Sequence, residues 1–222
     1  VSKLDNLCAT SITFLFLIAL NKKLKETNWY YKNQISEPDL LTFLDLVALA
    51  TVCDVVPLLD LNRVFVKQGL RVIEKRMNLG LKKLIDNSEI FTKITSYDLG
   101  FLIGPKINAG GRLGFSSYGS ELLSANDEST AEILSIKLNQ LNEKRKKIEK
   151  IHLDEIYLEA EKHKKDPVLV LYKPDWHEGI IGIIASRIKD KFYKPTIIIT
   201  GLKNTLKASA RSVFGFNIGS LI

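Results

Sequence analysis

A chain of 222 residues with 45% hydrophobic and 26% charged side chains, 6 Pro and 13 Gly can bury a sizeable core, and this composition excludes a disordered tail or a fibrous repeat. Its 32 Lys and Arg against 25 Asp and Glu leave a net charge of +7, which favours a polyanionic partner without demanding one. Two cysteines, Cys8 and Cys53, are too few for a disulfide framework or a zinc site and suit a reducing compartment, with the cytoplasm as default.

The first helix is predicted over residues 5–24, with a broad apolar face. Its most apolar stretch, 12–20, falls short of the roughly 18 residues of a membrane span and carries its lysines after it, the reverse of a secretory signal. Pro38 opens a second helix over 39–50. Both helices are expected to be buried. β-Branched residues and Pro57 end the apolar run that follows. A third helix is predicted over 62–75, with Val64, Leu70 and Ile73 facing inward. Short helices follow around 81–85 and 97–103, and then a glycine-rich loop over 104–114.

Residues 128–163 hold a long helical pattern without Gly or Pro, with Leu134, Leu138, Leu141, Arg145, Ile148 and His152 in a heptad-like stripe. Its middle, 142–150, is nearly all charged, which predicts a solvated helix bridging two domains. After Asp166-Pro167 the period changes. Strands over 168–172, 195–200 and 206–211, with a helix over 179–191 after the first, make a βαβ unit and give an α/β fold class overall. The chain starts at Val1 and stops just after strand-like sequence, so it is expected to be a piece of a longer protein.

Four segments could carry chemistry. Asp54 sits in an otherwise apolar run, where a carboxylate must be capped, paired or bound to metal. The segment 104–114 combines glycines, which let backbone approach a ligand, with Lys106 and Arg112 to meet phosphate charge, or it is a plain turn between helices. Trp176 and His177 lie on the loop after a strand's carboxyl end, ahead of a helix whose first amides suit an anion. Strand alternation puts Lys207, Ser209 and Arg211 on one face, either a solvated sheet face or a platform for a phosphodiester backbone.

At these segments the chain resembles the RecJ family of single-stranded-DNA-specific exonucleases, within the DHH phosphoesterase superfamily. The matching pieces are Ala50-Thr51-Val52-Cys53-Asp54-Val55-Val56-Pro57-Leu58, Gly104-Pro105-Lys106-Ile107-Asn108-Ala109-Gly110-Gly111-Arg112-Leu113, Trp176-His177-Glu178-Gly179 with the apolar helix after it, and Ala208-Ser209-Ala210-Arg211-Ser212. The resemblance implies the C-terminal part of a DHH domain over 1–125, a connecting helix over 126–165 and a truncated DHH-associated domain over 166–222. It also implies two Mn²⁺ or Mg²⁺ ions in the complete site and hydrolysis of single-stranded DNA.

On that pattern Asp54 is a metal ligand and catalytic residue. Asn108, Lys106, Arg112, His177, Lys207, Ser209, Arg211 and Ser212 contact nucleic acid. Lys106 stands where the family commonly has arginine, keeping the charge but losing the bidentate fork. No Asp-His-His occurs in the chain. The family's earlier metal motifs are expected before residue 1, and the rest of the associated domain and an OB-fold after residue 222. The alternatives are a DHH phosphodiesterase of short oligonucleotides or cyclic dinucleotides, or a non-catalytic nucleic-acid-binding remnant.

Overall fold

The computed structural model describes residues 6–88, 90, 92–202 and 205–220. Asp5, the first residue of the first predicted helix, lies outside them. The chain forms two units: residues 1–107 with 118–137, and residues 108–117 with 138–222. Among the described residues, no helix is long and apolar enough to cross a membrane.

The first unit is helical. It contains α1 (Ala9–Glu26), α2 (Trp29–Lys32), a 3-10 turn (Leu40–Phe43), α3 (Leu44–Cys53), α4 (Asp60–Ile73), α5 (Leu79–Asp86) and α6 (Ser96–Asp98). A π-turn, Leu99–Ile103, leads into α7 (Gly104–Arg112), which is followed by α8 (Tyr118–Leu123) and the first turns of α9 (Glu128–Lys162). Pro38 opens the 3-10 turn rather than an α-helix, and the Asp39 carboxylate caps that turn by accepting the Leu41 N–H at 3.1 Å.

Helices α3 and α4 touch along Gly69, whose missing Cβ would stand 2.2 Å from the Leu44 carbonyl oxygen, so only glycine permits the approach. Phe14 of α1 meets Phe65 of α4 edge-to-face with ring centroids 5.7 Å apart. Beside them, the buried hydroxyls of Ser11 and Thr51 hydrogen-bond at 3.2 Å.

Two expectations change here. Helix α1 is not buried around its apolar face: Ile12, Phe16, Ile18 and Leu20 are exposed, because the unit reaches α1 along the stripe of Ser11 and Phe14. On α4 the inward residues are Asn62, Phe65, Val66, Gly69 and Ile73. This is the i, i+3, i+4, i+7 set, which Val64 is not on, and Val64 is exposed.

The second unit holds β1 (Leu169–Tyr172), α10 (Ile181–Phe192), β2 (Thr196–Thr200) and β3 (Lys207–Arg211) in one sheet of order β1-β2-β3. β1 and β2 are parallel with Leu169 opposite Thr196, as a helical crossover requires, while β2 and β3 are antiparallel with Thr196 opposite Arg211. Ile180, Ile184 and Ile188 pack with Leu169, Leu171, Ile198 and Trp176, and α9 adds Ile156 and Ala160. One face of the sheet is thereby covered. Val170 and Tyr172 point to the other face and are about half exposed, so β1 alternates between a buried and a half-exposed side.

The charged stretch of α9 is not solvated all round. Asn142 and Glu149 are buried, and Arg145 joins them by donating to the Asn142 side-chain oxygen at 3.1 Å and to Glu149 Oε2 at 2.7 Å. A charged run can bury one stripe when each charge on it is paired one turn away. The architecture is mixed helix and sheet, the α/β class expected.

Candidate nucleic-acid interface

The segment 104–114 is a helix rather than a loop, running from Gly104 to Arg112. Glycine permits close approach at both of its ends, Gly104 at the start and, against its last residue, Gly179. In the first unit a Cβ on Gly104 would lie 2.5 Å from Cys53 Sγ. Burial, with the neighbouring Asp54 charge, pushes that thiol up to about 11, so it is a packing group rather than a nucleophile. In the second unit a Cβ on Gly179 would lie 2.0 Å from the Arg112 carbonyl oxygen, which fixes the loop before α10 against the end of α7.

Arg112 completes that contact by donating from Nη1 to the Gly179 carbonyl at 3.0 Å. Half-burial lowers its pKa from the ordinary guanidinium value, Arg145 and Arg211 push the same way, and Glu149 opposes them. A guanidinium held in this way has a fixed fork and unmet demand for an anion. The loop itself is organised by His177, whose Nδ1 accepts the Gly179 N–H at 3.2 Å. His177 therefore does the loop-closing work of a capping residue, with Nε2 left as the ring's donor.

Helix α10 starts at Ile181, two residues later than predicted, and no side chain caps its N-terminus. Across from it, β3 turns Ser209 and Arg211 toward Gly182: a Cβ there would stand 3.2 Å from Arg211 Nη2 and 3.4 Å from Ser209 Oγ. Arg211 Nε donates to Ser186 Oγ at 3.0 Å, one turn along α10. The polar face of β3 is thus a wall facing a helix start, not a free solvated face.

Asn108, Gly111, Arg112, Glu178, Lys207 and Ser209 line an open cavity of about 680 Å³ against that helix start. Lys207 makes an ion pair with Glu178, which holds the Glu178 carboxyl below the usual carboxylate range. Four of the sequence-predicted residues, Asn108, Arg112, Lys207 and Ser209, therefore share one cavity, with Arg211 behind Gly182. Ser212 instead accepts the Ile218 N–H at 3.0 Å.

Lys106 and Asp54 belong to the first unit. Lys106 donates to Ser88 Oγ at 2.7 Å and to the Asn87 carbonyl at 3.4 Å. Asp54 is the C-cap residue just after α3 and is exposed; its apolar surroundings in sequence do not bury it, because the chain turns outward at Val55, which has φ 55° and is itself exposed. Sequence reasoning passed over Glu178 as a lining residue and Glu149 with Arg145 as a buried pair. The i, i+4 spacing of opposite charges was the available signal for the pair.

Among the described residues, no group of three or more His, Cys, Asp or Glu side chains is gathered as a metal ion requires. A metal would therefore need ligands besides those of this chain's described part.

A DHHA1 domain matches residues 165–222. The single-stranded-DNA-specific exonuclease RecJ of Dickeya dadantii is 38% identical over 221 residues, covering 96% of this chain and 38% of the relative. RecJ of Haemophilus influenzae is 39% identical over 232 residues, covering 98% of this chain and 39% of the relative. The chain thus spans about two fifths of the length of these relatives. Among solved structures, RecJ from Thermus thermophilus in complex with Mn²⁺ superposes with a TM-score of 0.73 at 31% identity, over 85% of this chain and 28% of that one. The same protein with Mg²⁺ gives 0.71 at 29% identity, over 86% and 29%. Sequence, domain and fold agree: nearly all of this chain is similar to RecJ exonucleases, and its residues 165–222 match a DHHA1 domain.

Proposed function

We propose that this chain is part of a cytoplasmic 5′ to 3′ single-stranded-DNA exonuclease of DNA repair and recombination, and that its second unit grips the phosphodiester backbone. The observation that carries the reading is the cavity that sets Arg112, Lys207, Asn108 and Ser209 around the start of α10, which no side chain caps. Guanidinium, ammonium, side-chain amide and hydroxyl donors are the groups that hold phosphate without reading bases. On this reading 1–125 is the C-terminal part of the DHH domain, 126–165 the connecting helix and 166–222 the DHH-associated domain.

Glu178 then acts as an internal competitor, occupying Lys207 until a phosphate displaces it. Glu178→Gln is expected to tighten binding of an oligothymidylate strand roughly two- to fivefold at low salt, an effect that fades as salt screens it. Fluorescence anisotropy across a salt series measures this. Weaker or unchanged binding would mean that Lys207 does not meet the strand.

The solved relatives carry Mn²⁺ or Mg²⁺, which in such hydrolyses polarises the phosphoryl oxygen and activates water. We assign Asp54 as one ligand of a site completed by other residues of the longer protein. Its exposure at a helix end, beside a β-branched residue in the left-handed region, fits a group held for a ligand rather than for the core. In a full-length protein carrying this segment, Asp54→Ala is expected to abolish metal-dependent hydrolysis and leave strand affinity within about twofold. Retention of most of the activity takes Asp54 out of the site.

A further inference from the structure

The second unit sets two guanidiniums, Arg145 and Arg187, against one carboxylate, Glu149, with Arg112 and Arg211 from two further elements nearby. Glu149 of α9 is only 8% exposed. Arg145 donates to its Oε2 at 2.7 Å, and Arg187 of α10 stands with Nε 3.5 Å from its Oε1. Arg112 of α7 feels the charge of Arg145, Glu149 and Arg211 together, and Arg211 of β3 is tied to Ser186, the residue before Arg187. Asn142 holds Arg145 from the other side. The cluster carries three more positive than negative charges. Arg145 and Arg187 would repel each other and splay apart without the carboxylate between them.

We infer that Glu149 is a positioning residue: its carboxylate, clasped by Arg145 and Arg187, holds the guanidinium cluster in the geometry that meets the phosphates of a single strand. This deepens the proposed DNA-binding function and rests on it. Glu149 touches no substrate. By holding Arg145 and Arg187 together it fixes the positive cluster beside Arg112, so phosphate meets a preformed site and less ordering is lost on binding. A buried ion pair is otherwise weak evidence of stabilisation, which leaves specification of geometry as its use here.

The sign of one substitution separates this role from simple charge. Glu149→Gln raises the net charge by one, so long-range attraction alone would tighten strand binding. Positioning predicts the opposite, a loss of about tenfold together with a shallower salt slope. A second variant, Arg145→Glu with Glu149→Arg, keeps net charge, the buried pair and an amide partner in Asn142, which can donate as well as accept. It moves the carboxylate one helical turn, roughly 5 Å, from Arg187. It is expected to lose about tenfold in affinity while its thermal midpoint stays within a few degrees of the wild type.

Binding of the full 222-residue chain to a fluorescent oligothymidylate, across a salt series and beside thermal melts, reads all of this. A Glu149→Gln chain that binds as well as or better than wild type overturns the inference, as does a swapped chain with unchanged affinity. If both variants unfold, the pair is a structural element and the positioning role is withdrawn. A wild-type chain without salt-sensitive affinity removes the DNA reading itself and this inference with it. A binding wild type with unaffected variants removes the inference alone.

Discussion

Gly179→Ala is expected to destabilise the second unit by about 3 kcal/mol, near the top of the range for forcing an extra carbon into packed structure. The added Cβ would lie 2.0 Å from the Arg112 carbonyl oxygen and 2.9 Å from its carbon. Both are backbone atoms at the end of α7, so no side chain can swing away to relieve the clash, and the loop or the helix end must move. For a chain of this length the melting midpoint should fall by roughly 6–12 °C. Strand affinity should fall with it, since the Arg112 to Gly179 hydrogen bond spans the same contact.

Gly111→Ala is the matched control. Its Cβ would meet nothing within 4 Å, and it sits inside a helix, where alanine is favoured over glycine by roughly 0.5–1 kcal/mol. Circular-dichroism melts of the two variants should move in opposite directions. A Gly179→Ala midpoint equal to the wild type would show that the contact between this loop and α7 is not close packed.

Arg112→Ala should weaken single-strand binding by about 10- to 100-fold, the loss of a charge-assisted contact worth roughly 1.5–3 kcal/mol. The loss should be similar on homopolymer and mixed strands, and the slope of log affinity against log salt should shrink by about one phosphate's worth. Arg112 is the strongest candidate in the cavity because it is half buried, its fork is oriented by the Gly179 carbonyl, and the surrounding arginines raise its demand for an anion. Arg112→Lys should recover little, because an ammonium cannot donate to the carbonyl and to a phosphate in the same plane. An unchanged salt slope, or a loss confined to one base composition, would show that Arg112 is a structural tie or a base reader.

The secondary elements of the second unit were legible because their signals are local. The apolar runs over 168–172 and 195–200 bounded by proline, and the i, i+4 isoleucines of α10, state their period within a few residues. Strand alternation likewise puts Ser209 and Arg211 on one face. The helical state of 104–112 was not legible, since glycine and proline argue for a loop. The helix holds because Gly104 lets it lie against Cys53 and Gly110 lets it lie against the Phe115 carbonyl, a tertiary gain that outweighs their poor propensity.

Burial was the other thing that sequence could not decide, because apolar or charged character states a preference and not a neighbour. Ile12 and Phe16 are apolar and exposed, while Arg145 and Glu149 are charged and enclosed. Asp54 lies in an apolar run yet faces solvent through one left-handed residue, Val55. By itself the sequence determined the order of elements, the α/β class and the motifs that resemble the RecJ family. Only tertiary structure decided that Asn108, Arg112, Lys207 and Ser209 share one cavity and that Arg187 of α10 meets Glu149 of α9. Those groupings join residues up to about a hundred positions apart, and their distances depend on packing that no local pattern encodes.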